Sequence, residues 1–202
     1  MRLPFGSPAS APATPESRLI ERCRAGDTGA FDDLMATHQN RVFNLCLWLL
    51  RDHDAAADAA QEVFIRAFRG LKNFRGDCAF STWLHRIAVN IASDSATRRQ
   101  RTPVPLSTLE SDDSSFPEPA SLGDDPGEAI ARRERRQAVR DALNSLSDPH
   151  RLILVLFDIQ GYAYEDIAQI LEMPIGTVKS RLNRARSALR EKLETRRELF
   201  ED

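Results

Sequence analysis

Little in this 202-residue chain could carry covalent chemistry. Cysteine is scarce: Cys23, Cys46 and Cys78 are odd in number, widely spaced and outside any CxxC or Cys/His pattern. That argues against a disulfide framework or a structural zinc site and fits reduced thiols in a cytosolic protein. His38, His53, His85 and His150 are scattered without ligand or triad spacing, and neither a glycine-rich phosphate loop nor a GxSxG elbow occurs. Arg51-Asp52-His53-Asp54 looks superficially like a metal-dependent phosphohydrolase pair, but the alanine-rich stretch behind it offers none of the further His and Asp ligands. The expectation is no enzyme, no metal and no cofactor. Long apolar runs are missing too: no segment reaches the length of a bilayer span, and MRLPFGSPASAPATPE has no continuous apolar signal core. No membrane insertion is expected.

What the chain has is helical periodicity. Hydrophobic residues make up 42% of it, enough for packed cores, and from Ser17 onward they recur at helical spacing: Leu19/Ile20/Cys23, Phe31/Leu34/Met35, Val42/Leu45/Leu49. No strand-like alternation competes. The predicted class is all-α, in two small helical domains joined by a flexible acidic linker. Residues 1–16 read as a Pro/Ala/Ser tail, and 17–101 as the first helical block. Residues 102–128 carry Pro103, Pro105, Pro117, Pro119 and Pro126 among Ser, Asp and Glu without a Lys or Arg, which is a linker composition. Residues 129–202 form the second block, in which Ser147-Asp148-Pro149 supplies a cap and Gly161 closes the helix RLILVLFDIQ. The formal net charge of −2 averages over these contrasts.

Two stretches point to nucleic acid. In 163-AYEDIAQILEMPIGTVKSRLNRARSALREKL-193, a short helix (Glu165 to Leu171), a break at Glu172-Met173-Pro174 and a longer helix from about Gly176 describe a helix-turn-helix. Val178, Leu182, Ala185 and Leu189 share one side of the longer helix. The other carries Lys179, Ser180, Asn183, Arg184 and Ser187, with Arg181, Arg186 and Arg190 alongside, side chains suited to base edges and phosphates in a major groove. A solvated amphipathic helix is the bland reading. The stretch 73-NFRGDCAFSTWLHRIAVNIASD-94 interleaves Phe74, Phe80 and Trp83 with Arg75 and Arg86 and runs into 98-RRQR-101, a mixture suited to stacking and charge neutralisation on a single strand.

In their order, AFDDLMATHQNRVFNLCLWLL (30–50), DAAADAAQEVFIRAFRGL (54–71), NFRGDCAFSTWLHRIAVN (73–90) and the helix-turn-helix resemble a group IV (extracytoplasmic function, ECF) sigma factor of the sigma-70 family, over about Ser17 to Leu193. The resemblance implies a sigma-2 domain, a flexible linker and a sigma-4 domain. It implies core RNA polymerase and promoter DNA, duplex and single-stranded, as partners, and brings in an anti-sigma factor as a further one. Asp54, Asp58 and Gln61, on one helix face with Val63, Phe64, Ala67 and Phe68 turned inward, match the polymerase-clamp contact; a solvated acidic face is the plain alternative. Asn73, Phe74, Arg75, Gly76, Phe80, Thr82 and Trp83 match the segment that opens the minus-ten element, with ordinary core packing as the alternative for Phe80 and Trp83. Arg86, Asn90, Asp94, Arg98, Arg99 and Arg101 match the face that follows the strand, Arg98 and Arg99 toward phosphates. Thr177, Lys179, Ser180, Arg181, Asn183 and Arg184 match the minus-thirty-five reader.

Two residues depart from the family pattern. Ala163 stands where a Ser or Thr usually caps the first helix of the motif, and Glu172 where the turn is commonly glycine, so a left-handed backbone there would carry strain. The competing function is a helix-turn-helix regulator that binds duplex DNA without core polymerase. It leaves the aromatic and cationic stretch and the acidic face at 54–61 unexplained.

Overall fold

A computed structural model of the protein describes residues 14–101 and 126–195, and within them the side chains of 14–95 and 130–195. Residues 1–13 of the predicted tail and 102–125 of the predicted linker lie outside the described residues, while 126–128, expected in the linker, already belong to a helix. Helix α1 (Pro15–Arg24) begins slightly earlier than periodicity indicated, because Thr14 caps it: its hydroxyl accepts from the Ser17 amide at 3.1 Å, and Pro15 fills the first helical position. Helix α2 (Thr28–Leu50) starts from an Asp27 cap and α3 (His53–Gly70) from an Asp52 cap, each aspartate accepting an amide of the first turn. A 3-10 turn (Leu71–Asn73) and a loop through Gly76 lead into α4 (Phe80–Arg101).

The second unit runs α5 (Pro126–Asn144), α6 (Asp148–Leu154), α7 (Tyr164–Ile170) and α8 (Ile175–Glu194). Between α6 and α7 the helix RLILVLFDIQ widens into a π turn over Val155–Ile159, with the Gln160 amide reaching back to the Val155 carbonyl at 2.8 Å, before Gly161 (φ +75°) ends it. Ser147 takes the N-cap position of α6, but its side chain makes no capping bond: its carbonyl accepts the Arg151 amide, while Asp148 is drawn to arginine side chains. The described residues contain helices and turns and no strand.

Helices α1 to α4 pack around Leu34, Val42, Leu45, Val63, Leu84 and Ala88, and α5 to α8 around Leu154, Leu156, Ile167, Ile170, Val178 and Leu182. The two sets merge into one apolar body where α4 meets α7 and α2 meets α6. Phe68 corrects an expectation. Val63, Phe64 and Ala67 are buried as predicted, but Phe68 lies at the margin of the stripe, 48% exposed, with its ring edge-on to Phe31 at 5.0 Å.

Candidate nucleic-acid and polymerase interfaces

On α3, Asp54, Asp58 and Gln61 all face solvent along one strip. Continuing the strip by single helical turns brings in Ile65 and Phe68, exposed apolar residues that pattern reasoning did not assign to a surface. Gln61, Ile65 and Phe68 line a groove of about 870 Å³ between α2 and α3, floored by Phe31, Met35 and Phe43. One end of this surface is acidic and the other greasy. The sequence signal was present, since Ile65 and Phe68 lie at i+4 and i+7 from Gln61.

At the start of α4 the aromatics gather. Phe74, Phe80 and Trp83 sit with ring centroids 5.0 to 5.8 Å apart, and the indole also lies on Gly70, where a Cβ would come within 3.3 Å of it. Phe74 and Phe80 are buried, Phe80 to 2%, whereas Trp83 is half-buried. Asn73, Arg75 and Asn90 are exposed. Thr82 is only 1% exposed, because its hydroxyl donates to Asp166 of α7 at 3.2 Å, and Arg86 lies 3.6 Å from the Glu172 carboxylate. The Arg98 and Arg99 side chains lie outside the described ones.

In the helix-turn-helix, Val178, Leu182 and Ala185 are buried, while Thr177, Lys179, Ser180, Asn183 and Arg184 are exposed and Arg181 is half-buried. Ala163 occupies the N-cap of α7 without a capping side chain, and Glu172 adopts φ +50°, both as the sequence implied. The left-handed turn is held by the Met173 amide bonding the Ala168 carbonyl at 3.0 Å, six residues spanned as in a Schellman closure. Four side chains form a stack that sequence reasoning missed: Arg186 lies over Phe157 (4.9 Å), Phe157 is parallel to Tyr164 (5.0 Å, 13°), and Lys179 lies over Tyr164 (5.6 Å). Asp158 pairs with Arg186 as well and raises its pKa. The stack ties α8 to the π turn and to α7, fixing the angle at which the exposed strip is presented.

Among the described residues no three His, Cys, Asp or Glu side chains come together in a metal-binding group, and no helix is long and apolar enough to cross a membrane. Fold and surfaces together define an all-α protein with a helix-turn-helix whose second helix exposes polar and basic side chains in one unit, and an aromatic and cationic face in the other. The Sigma-70 region 2 family matches residues 34–102, and the Sigma-70, region 4 family matches residues 136–189. The RNA polymerase sigma-H factor of Pseudomonas aeruginosa is 40% identical over 86% of this chain and 91% of its own length. The ECF RNA polymerase sigma-E factor of Haemophilus influenzae is 35% identical over 89% and 95%, and that of Escherichia coli K12 37% over 87% and 93%. Among solved structures, the sigma factor RpoE from Bartonella quintana in complex with the anti-sigma factor NepR superposes with a TM-score of 0.60 at 27% identity, over 81% of this chain and 96% of that one. CnrH in complex with the cytosolic domain of CnrY shares the fold, with a TM-score of 0.64 at 24% identity over 88% and 96%. The chain belongs to the ECF sigma factors of the sigma-70 family, bacterial initiation factors that bind core RNA polymerase and direct it to promoters.

Proposed function

We propose that the unit formed by α1 to α4 is the sigma-2 domain, docking on the polymerase clamp through α3 and opening the minus-ten element with the start of α4, and that α7 and α8 of the sigma-4 domain read the minus-thirty-five duplex. The observation that carries this is the one-sidedness of α8: Thr177, Lys179, Ser180, Asn183 and Arg184 are exposed, the last three opposite the buried Val178, Leu182 and Ala185. A helix so armed fits a major groove about 12 Å wide, with arginine suited to guanine O6/N7 and asparagine to adenine. On α3, Asp54 and Asp58 steer a basic partner helix, and the Ile65 and Phe68 groove anchors its apolar face. At the minus-ten element, Trp83 is the aromatic with surface left for a displaced base, and Phe74 and Phe80 hold it in place; Asn73, Arg75, Arg86 and Asn90 line the strand's course, with Arg98 and Arg99 on its phosphates. Residues 102–125, extended at about 3.3–3.6 Å each, would reach roughly 80 Å and so span the roughly 70 Å of two helical turns of duplex. The protein works in the cytoplasm, with an anti-sigma factor as its restraining partner.

The test is co-elution of the purified chain with core polymerase, followed by run-off transcription from promoters that it selects. Co-elution with promoter-dependent transcripts is the expected result. A chain that binds duplex DNA yet never associates with core would be a free helix-turn-helix regulator instead.

A further inference from the structure

Helix α1 carries a cation that none of the surfaces assigned so far uses. Arg24, in its last turn, is exposed, and its guanidinium lies over the Phe74 ring, 6.0 Å from the centroid. Phe74 in turn meets Trp83 at 5.0 Å, so the cation stands one ring away from the half-buried indole. Two residues earlier Arg22 is paired with Asp27 at 2.7 Å, whereas among the described residues no carboxylate pairs with Arg24. The helix that carries it is fixed at both ends. Thr14 caps the first turn, and Glu16 Oε1 lies 2.8 Å from Nε2 of the buried His38, whose ring is edge-on to Phe80 at 5.3 Å. At the other end the Arg22–Asp27 pair ties α1 to the cap of α2. Arg24 and the aromatic cluster therefore share one frame.

We infer that Arg24 is a further contact to the unpaired minus-ten strand, its guanidinium taking a phosphate beside the base that stacks on Trp83. The inference deepens the proposed minus-ten reading and rests on it. A nucleotide pairs a flat base with a negatively charged backbone, so an aromatic face with a cation at its margin meets both parts at once. The contact with Phe74 steadies the guanidinium without neutralising it, which leaves its N–H fork for phosphate oxygens. Arg86 is less well placed for this, because it already faces the Glu172 carboxylate at 3.6 Å. A cation at a helix C-terminus suits the helix dipole in any protein. What points beyond that plain role is the seat of Arg24 on the aromatic cluster. A phosphate carries no base identity, so Arg24 contributes affinity for the opened strand rather than sequence selectivity.

The experiment compares holoenzymes reconstituted from core polymerase and the full chain as wild type, Arg24→Gln, Arg24→Lys or Trp83→Ala. Each is titrated over a salt series with a promoter fragment unpaired across the minus-ten element and with a duplex that ends upstream of it, and thermal melting of the full chains checks the fold. One phosphate contact on a single strand changes the slope of log affinity against log salt by about 0.7, which is about 5-fold in affinity at 0.1 M salt. Arg24→Gln should therefore bind the unpaired fragment about 5-fold more weakly, with a slope shallower by about 0.7, and equally so on cognate and base-substituted minus-ten sequences. Arg24→Lys should keep both affinity and slope. Neither change should move Tm or binding of the upstream duplex. Wild-type affinity and slope in Arg24→Gln, with Trp83→Ala weakened, overturns the Arg24 contact alone. A loss of affinity at unchanged slope assigns Arg24 to packing on Phe74 and overturns the contact as well. If Trp83→Ala binds the unpaired fragment as tightly as wild type, no base rests on the indole, and the minus-ten reading fails together with the contact that depends on it.

Discussion

Phe80 and Trp83 are adjacent in space yet should answer substitution in opposite ways. Phe80 is 2% exposed and meets Phe74 at 5.8 Å, Trp83 at 5.7 Å and His38 at 5.3 Å. Truncating so enclosed a ring to alanine removes its transfer free energy and leaves a cavity, about 3–5 kcal/mol together. At about 2–4 °C per kcal/mol for a cooperative body of this size, Phe80→Ala should lower Tm by roughly 6–20 °C. Trp83 is half-buried, so Trp83→Ala should cost clearly less stability. On its proposed role at the minus-ten element, what it loses is a stacking surface worth about 1–3 kcal/mol per base, or roughly 5- to 150-fold in the strand-opening equilibrium. Thermal melting of the full chain, alongside permanganate footprinting with core polymerase on duplex and pre-opened promoters, separates the two. Trp83→Ala should fail on duplex and recover on the pre-opened template, where the unpairing cost is absent. The reasoning is refuted if Phe80→Ala melts like wild type, or if Trp83→Ala loses as much stability as Phe80→Ala and the open template does not help it.

Asp58→Arg reverses a charge on the α3 strip, and core polymerase affinity should fall with helix content unchanged; a titration against core checks it. Arg184→Ala should cost about 1–3 kcal/mol on a cognate minus-thirty-five duplex and little on random DNA if the guanidinium grips guanine, whereas a phosphate contact would weaken both and make the salt slope shallower by about one, which competition binding over a salt series resolves. Arg151→Leu removes the buried guanidinium that donates to the Trp48 and Leu49 carbonyls and should cost about 1–3 kcal/mol in urea denaturation, far more than loss of an exposed helix cation.

Local chemistry made much of this legible in the sequence. Helical spacing, the proline at the head of α6, Gly161 and the left-handed Glu172 all depend on neighbours within a few residues, and each appears where the sequence placed it. The cap at Thr14 and the π turn at Val155–Ile159 are local too, yet they hinge on a single hydrogen bond or one extra residue in a turn, which hydrophobic periodicity does not register. Phe68 shows the limit of a stripe argument, since whether a marginal position is covered depends on the neighbouring helix rather than its own. The contacts between the units were beyond reach. Tyr162 and His85 are 77 residues apart, and Arg151 and Trp48 103, with the linker between them. In sequence Arg151 is one more surface arginine; in the fold its guanidinium completes the end of a helix in the other unit.

His85 turns that contact into a pH dependence with a definite sign. Its ring is fully buried, and Nδ1–H donates to the Ser81 carbonyl at 2.8 Å with the Tyr162 hydroxyl beside it. Burial is the main cause that pulls its pKa down from 6.5 to about 4, and the positive Arg41 and nearby His38 push the same way, against the hydrogen bond to Ser81. A depressed histidine pKa means that below pH 6.5 the unfolded chain binds a proton that the folded chain refuses. Stability is therefore unaffected by this group above about pH 7, declines through the window between 6.5 and 4 at up to about 1.4 kcal/mol per unit, and levels off below it. Between pH 7 and pH 5 the loss should be about 2 kcal/mol. His85→Asn keeps a donor for the Ser81 carbonyl but cannot titrate, so denaturant midpoints for wild type and variant at the two pH values isolate the contribution from every other acid and base in the chain. The wild type should lose about 2 kcal/mol more than the variant on acidification. Parallel losses would mean that the imidazole is as easily protonated in the folded chain as in the unfolded one, and that water reaches the seam between α4 and Tyr162.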